Sequence, residues 1–429
     1  MRDFSSQNGY TIENNIDRYI YMAFNPGSGG GISTANDVAL SNPQSNQVLT
    51  YNTSTAKWFN GSPAPAQSGN GITTDVLFST LTGATDDDKL ANFMDANRNL
   101  ATGNLRGLTV VLDEARDYTF TQQQTLYSGF SIRGPFRPQD QSRGSLPLGN
   151  RVLLRMTGTA KGWFIMPSSN VFGVSISNLS IDANSLSRLV EGTSSGVLWT
   201  STFRDISMQN GLAVMGSPTQ KLLLTACTID GFWNVNNVRE RAFYIGGSDT
   251  FFSPSLFLLD SPPAFISDSQ YLFHANFMEK FIFRNFYITA ERHSAILWNG
   301  GASSQTAWIE NNVIEGRNEN TPAYGALIRI TGGAVDISRN WIAFAMSNPT
   351  ATGNNDGGVI HITGGDIFID ACTYRKAASV ADTVPFVYIS GGKVRIRNIR
   401  GQNLSGKPVV YQTVAGLIDA DDSVTVVTG

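Results

Sequence analysis

Ile328-Arg329-Ile330-Thr331-Gly332-Gly333 returns as Ile360-His361-Ile362-Thr363-Gly364-Gly365 and again as Val387-Tyr388-Ile389-Ser390-Gly391-Gly392, with Ile296-Leu297-Trp298-Asn299-Gly300-Gly301 a looser copy. The second glycines stand at 301, 333, 365 and 392, in steps of 32, 32 and 27 residues. A second apolar alternation follows: Val335-x-Ile337, Ile367-x-Ile369 and Val394-x-Ile396, with Ala307-x-Ile309 a few residues later in its own repeat. Val174-x-Ile176, Phe203 and Phe281-x-Phe283 are weaker, earlier members. Period-two alternation buries one face of a strand and exposes the other. Two such strands repeated every ~30 residues make each repeat one coil laid on the last. The glycine pairs supply the positive φ at which the chain turns from one sheet to the next. The expectation is an all-β chain, a right-handed parallel β-helix, with Ile176, Phe203, Phe283, Ile309, Ile337, Ile369 and Ile396 in one inward column. A β-propeller is the alternative, but its ~40–45-residue blades need four strands, and each repeat here has room for two or three.

Composition agrees with this reading. The 429 residues carry 31 Lys+Arg against 34 Asp+Glu, a net charge of −3, with 15% charged residues and 42 Gly. Low charge with abundant Gly, Asn and Ser marks a turn-rich β chain. The near balance of charge argues against the basic patch of a nucleic-acid protein. Aromatics at 10% allow a large core and exclude a disordered chain. The two cysteines, Cys227 and Cys372, lie in apolar strand-like runs and read as small buried hydrophobes with no disulfide framework. His274, His293 and His361 stand far apart without an HxH or HxxxH pattern, so neither zinc catalysis nor any cofactor is expected. No apolar run approaches the ~20 residues of a membrane helix. Met1-Arg2-Asp3-Phe4-Ser5-Ser6-Gln7 has neither a basic n-region nor an apolar h-region, so synthesis in a cytoplasm without a secretory signal is expected.

Three stretches follow from the organisation of the chain. Residues 1–75 hold the breaks Pro26-Gly27-Ser28-Gly29-Gly30-Gly31 and Asn60-Gly61-Ser62-Pro63-Ala64-Pro65. Between them lie two strand-like pieces, Val48–Asn52 and Lys57–Gly61, around a Thr/Ser turn. With little apolar content, this region reads as an attachment or oligomerisation segment. Residues 76–150 form a cap and first coils: Leu90, Phe93 and Met94 make one apolar helix face, with Asp86 or Asp87 expected at its N-terminus. Such a helix suits a plug over the open end of the stacked strands. Residues 151–429 carry the coils.

Asp86-Asp87-Asp88 with its helix, then Thr109-Val110-Val111-Leu112, Tyr118-Thr119-Phe120 and Ser128-Gly129-Phe130-Ser131-Ile132-Arg133-Gly134, resemble the opening of pectate-lyase-like β-helix proteins. Asp113-Glu114-Ala115-Arg116-Asp117 departs from that pattern, standing where a Pro-Pro-Gly turn would. Thr119-Phe120-Thr121-Gln122-Gln123-Gln124 and Val48-Leu49-Thr50-Tyr51-Asn52 with Lys57-Trp58 are similar to minor tail proteins and tail fibres of long-tailed bacteriophages, especially those infecting actinobacteria. The resemblance spans roughly residues 45–180; the C-terminal coils match only in pattern. It implies a homotrimer in a virion tail, joined to other tail proteins through the N-terminal region and recognising a host cell-surface glycan. The alternative it carries is a tailspike depolymerase that cleaves or deacetylates polysaccharide. A bacterial pectate-lyase-like enzyme is disfavoured by the missing secretion signal.

Glycan cleavage uses paired carboxylates, and alignment on the inward column sets Arg284, Glu310, Ser338, Asp370 and Arg397 at one outward position on successive coils. Glu310 and Asp370 fall two coils apart, about 9.6 Å, near the upper end of the ~6.5–9.5 Å used by inverting glycosidases. Arg284 beside Glu310 and Asp370 beside Arg397 also read as a cross-strand charge ladder, and flanking arginines lower an acid's pKa where a general acid needs it raised. One position earlier stand Trp308, Asp336, Phe368 and Arg395. Trp308 can stack on a sugar, but a large exposed apolar stripe more often marks a subunit interface, which is the preferred reading. Gly316–Ala323, Ala345–Gly357, Tyr374–Thr383 and Arg400–Lys407 are insertions at one phase of the repeat and are expected to emerge along one edge. Their polar residues, among them Asn318, Asn355, Asp356 and Arg375, suit a neutral or weakly charged glycan as well as they suit solvated loops. Asn178, Asn311, Asn312, Asn340 and Asn398, near strand ends, read as stacked asparagines bonded to the turn backbone.

Overall fold

A computed structural model describes residues 74–99, 104–105, 107–134, 151–157, 161–217, 219–236, 242–248, 251–253, 271–290, 294–301, 305–316, 326–344, 358–376 and 385–429, together with strands at 10–14, 20–24, 38–39, 48–52 and 57–61. Met1–Asn70 and Gly71–Gly429 are two compact units. In the first, Tyr10–Asn14 pairs antiparallel with Ile20–Phe24. The two strand-like pieces, Val48–Asn52 and Lys57–Gly61, form one antiparallel hairpin, and Val38–Ala39 lies parallel to its second strand. Thr74 and Asp75, at the end of the expected attachment region, already belong to the second unit's first strand, Thr74–Leu77.

The second unit is a right-handed parallel β-helix. Two sheets of 15 strands and one of 5 carry the described residues, and the pairings within all three are parallel. One coil shows the plan. Thr306–Glu310 lies in the first sheet, Asn311 turns with φ 55°, Val313–Gly316 lies in the third sheet, and Ile328–Ile330 in the second; the Gly332-Gly333 turn leads back to the first sheet.

The inward column is a continuous register. Ile132 pairs with Ile176, Ile176 with Phe203, and Phe203 with Ile229. Further on, Phe283, Ile309, Ile337, Ile369 and Ile396 follow one another coil by coil. All of these side chains are fully buried. Each contributes about 1.5–3 kcal/mol of burial, and parallel sheets are stable only where such faces are covered. At the corner, Gly333, Gly365 and Gly392 have φ of 82°, 101° and 87°. The glycine before them answers a second demand: a Cβ on Gly332 would sit 2.2 Å from the Gly300 carbonyl oxygen of the preceding coil.

The asparagines divide into two columns. Asn178, Asn285, Asn311 and Asn398 take the left-handed corner with φ of 56°, 59°, 55° and 56°, a conformation Asn tolerates better than most residues. Asn312 and Asn340, one residue later, are buried and bond the turn backbone. Asn340 Nδ2 donates to the Ile309 carbonyl at 2.7 Å, and its Oδ1 accepts from the Asn312 amide at 3.0 Å and from Asn312 Nδ2 at 2.9 Å. The buried ladder is as expected.

The helix Asp86–Asn97 closes the N-terminal end, burying Leu90, Phe93 and Met94. Its N-cap is Thr85 rather than Asp86 or Asp87, and Thr85 and Asp88 form a capping box. The two aspartates that open the helix reach across instead. Asp87, buried, accepts from the Thr121 amide and hydroxyl at 2.8 and 2.7 Å, and Asp86 accepts from Arg116 and the Thr119 amide. Residues 113–117 replace a proline turn with polar fastening. Asp113 accepts from the Ser79 amide and hydroxyl, and Arg116 lies 4.2 Å over the Tyr118 ring while bonding Asp86 and Glu114.

Candidate functional site

The outer face of the first sheet is a grid of side chains set by the pleat. Thr306, Trp308 and Glu310 point out from one coil, Ala334, Asp336 and Ser338 from the next, then Asp366, Phe368 and Asp370, then Lys393, Arg395 and Arg397. Glu310 and Asp370 are two coils apart as aligned, each directly paired in register with Ser338. Glu310 is held by cations on both sides: Arg339 bonds it, and Arg284 Nη1 lies 3.8 Å from its other oxygen. Asp370 accepts 2.8 Å from Asn398 Nδ2. The expected Asp370–Arg397 pair is replaced by another. Arg397 turns to the following coil, where the Asp419 carboxylate at 2.7 Å and carbonyl at 2.8 Å offer it two acceptors together.

Trp308 is 38% exposed. The stripe through it is not uniformly apolar. Asp336 separates Trp308 from Phe368, and Arg395 lies 5.9 Å over the Phe368 ring while reaching Asp366 at 3.5 Å. Aromatic and charged residues therefore alternate, one per coil.

Two of the four expected insertions, Tyr374–Thr383 and Arg400–Lys407, begin in strands and are shorter than the sequence suggests. Tyr374 to Lys376 and Arg400 to Gln402 are strands of the third sheet, stacked on Trp341–Phe344 and Val313–Gly316. The cause is alternation: Tyr374 and Lys376 are buried while Arg375 points out, 5.9 Å over the Trp341 ring. Arg375 is thus a sheet residue at the insertion edge. Residues 317–325, 345–357 and 377–384, with Asn318, Asn355 and Asp356, lie outside the described residues.

Each of those segments leads into a second-sheet strand. The outward column there passes through Tyr244, His274, Leu297, Arg329, His361, Tyr388 and Tyr411. Tyr388 and Tyr411 stack at 5.2 Å, Tyr244 and His274 approach to 4.6 Å, and His361 Nε2 lies 3.1 Å from Ser390 Oγ. This aromatic and basic stripe was not singled out from the sequence, although its members are the middle residues of Ile-Arg-Ile, Ile-His-Ile and Val-Tyr-Ile. Among the described residues no group of His, Cys, Asp and Glu is placed to hold a metal, and no helix is long and apolar enough to cross a membrane.

No family model and no curated protein matches the chain. Among solved structures it is similar to DFA-IIIase from Arthrobacter chlorophenolicus A6 in complex with GF2, with a TM-score of 0.51 at 12% identity over 82% of this chain and 93% of that one. The Agl-KA catalytic domain aligns at a TM-score of 0.41 and 8% identity, over 86% of this chain and 70% of that one. A tailspike protein of Acinetobacter baumannii bacteriophage Fri1, a capsular polysaccharide depolymerase, aligns at 0.29 and 11%, over 89% and 68%. The last two likenesses are too remote to bear on this chain. The first covers 82% of this chain, and what it shares with this chain is the fold.

Proposed function

We propose that the chain is a structural protein of a phage tail that recognises a host cell-surface glycan without cleaving it. The observation carrying the preference for binding over cleavage is the environment of Glu310, the acid a hydrolytic pair would need. Arg339 bonds one of its oxygens and Arg284 lies 3.8 Å from the other, so both oxygens face cations, whereas a general acid must present one to the leaving-group oxygen. The phage-tail reading rests on the resemblance of residues 45–180 to minor tail proteins and tail fibres. It carries with it a homotrimer attached through residues 1–75 to other tail proteins, and a place in the virion.

The test is incubation with host cell-wall glycan, scored for sedimentation with the glycan and for new reducing ends, unsaturated products or released acetate. Binding without product is expected. Product formation abolished by Glu310→Gln and Asp370→Asn would establish the depolymerase instead.

A further inference from the structure

Deepening the glycan-recognition reading, and resting on it, we propose that Arg375 and Arg400, on the outer face of the third sheet, form a subsite for the acidic groups, carboxylate or phosphate, of an anionic glycan. The two are diagonal neighbours on adjoining coils: Thr373 pairs with Arg400, and Arg375 with Gln402. Their Cα atoms lie roughly 8 Å apart, from ~3.3 Å per residue along the strand and ~4.8 Å between strands. Both side chains are exposed and long enough to converge on one oxyanion. Among the described residues neither guanidinium has an acceptor. Arg375 rests 5.9 Å over the Trp341 ring, and a cation–π contact satisfies none of its N–H donors.

Elsewhere on the stack, arginines find carboxylates across the coils. Arg133 reaches Asp75, Arg204 reaches Asp230 at 3.4 Å, Arg395 reaches Asp366 at 3.5 Å, and Arg397 reaches Asp419 at 2.7 Å. The outward positions of the third sheet's last three strands hold no carboxylate: they are Trp341 and Ala343, Thr373 and Arg375, Arg400 and Gln402. Glu315, in the same column as Arg375, stands two coils earlier and accepts from Tyr287 Oη at 3.1 Å. Like charges on adjoining strands disfavour the fold, and nothing within the sheet offsets this pair. A ligand oxyanion does, because the guanidinium fork matches the paired oxygens of a carboxylate or phosphate. Gln402, exposed beside Arg375 and without a side-chain partner among the described residues, supplies an amide for sugar hydroxyls. Two cations beside a neutral amide suit an acidic glycan, whereas a nucleic acid takes a broader basic stripe.

The full-length protein is titrated by isothermal calorimetry with hexagalacturonate and with poly(glycerol phosphate). Maltohexaose is the neutral control and a thymidine oligonucleotide the polyanion control. At least one acidic polymer should bind, more weakly as salt rises, and which one binds distinguishes carboxylate from phosphate. Arg375→Gln and Arg400→Gln should each weaken that binding about ten-fold, and the double variant should abolish it. Arg375→Lys, which keeps the charge and loses the fork, should weaken it several-fold. Arg395→Gln, which removes an exposed cation from the first sheet, should leave it unchanged; an equal loss there would reduce the effect to overall charge and overturn the site. Arg375→Gln and Arg400→Gln should melt with the parent, and a lowered melting temperature would assign the pair to the fold instead. Undiminished binding in the double variant, maltohexaose bound as tightly as the acidic polymers, or failure of both polymers overturns the subsite. An oligonucleotide bound as tightly as the acidic polymers overturns the glycan assignment. Sedimentation with host cell-wall glycan decides the broader reading independently: retained by the double variant, it leaves glycan recognition standing without this subsite.

Discussion

At single residues, this fold depends on polar side chains that finish backbone bonding inside the stack. Asn340 is the clearest case: its amide group serves the Ile309 carbonyl and the Asn312 amide, neither of which water can reach at that corner. The residue stacked on it is Cys372, whose thiol reaches the Ile337 carbonyl at 3.5 Å and lies 3.9 Å from Asn340 Nδ2. Burial pushes the Cys372 and Cys227 thiols up from an ordinary 9.0 to about 11 each. These raised values predict a pH limit. The unfolded chain releases both protons near 9.0 while the folded chain holds them to about 11, so stability present below pH 9 falls as pH climbs to 11. Chemical melts at pH 8, 9.5 and 11 should show this loss, and Cys227→Ala/Cys372→Ala should flatten the slope across that window. Both thiols should resist disulfide reagents at pH 8 until the protein is unfolded.

The elements differ in how they are secured. Strands of the coils are held by register and inward burial, whereas the capping helix is held by its aspartates. Thr85 caps only the helix itself, and Thr85→Ala is expected to cost about 1 kcal/mol. Asp87 joins the helix to the loop at Thr121 and Gln122 and is itself buried. Asp87→Ala orphans the donors it satisfied, at about 1–3 kcal/mol for each buried group. It should therefore lower the melting temperature distinctly more than Thr85→Ala, measured by circular dichroism. Equal effects would mean that the helix is held by Leu90, Phe93 and Met94 alone.

For the whole molecule, a stack in which each coil touches its neighbours confines the effect of a local change. Residues 345–357 join Trp341–Phe344 to Ile360–Ile362, and the inward residues at both ends, Ile342 and Ile360, lie in the strands themselves. Replacing 345–357 by a short Gly-Ser turn should leave the fold and melting temperature nearly unchanged, since loop length enters stability only logarithmically. If the insertion edge takes part in recognition, sedimentation with host glycan should fall sharply in the same variant. Retained sedimentation would place recognition on the sheet faces.

Much of this architecture was legible in the sequence because its causes are local and repeat. Ile328-Arg329-Ile330 and its copies set strand, face and coil length together, and the Gly332-Gly333 pair marks a corner only glycine can occupy so closely. The inward column, the Val48–Asn52 hairpin strand and the Asn312–Asn340 ladder follow from such patterns. Other features depend on which coil a side chain meets, and spacing along the chain does not contain that. Arg397 aligns with Asp370 yet bonds Asp419, and Asp87 turns from its own helix to Thr121. Tyr374-Arg375-Lys376 reads as polar loop until Tyr374 is seen buried in a third sheet. Long flexible side chains choose among several acceptors only once the coils have stacked and set the distances.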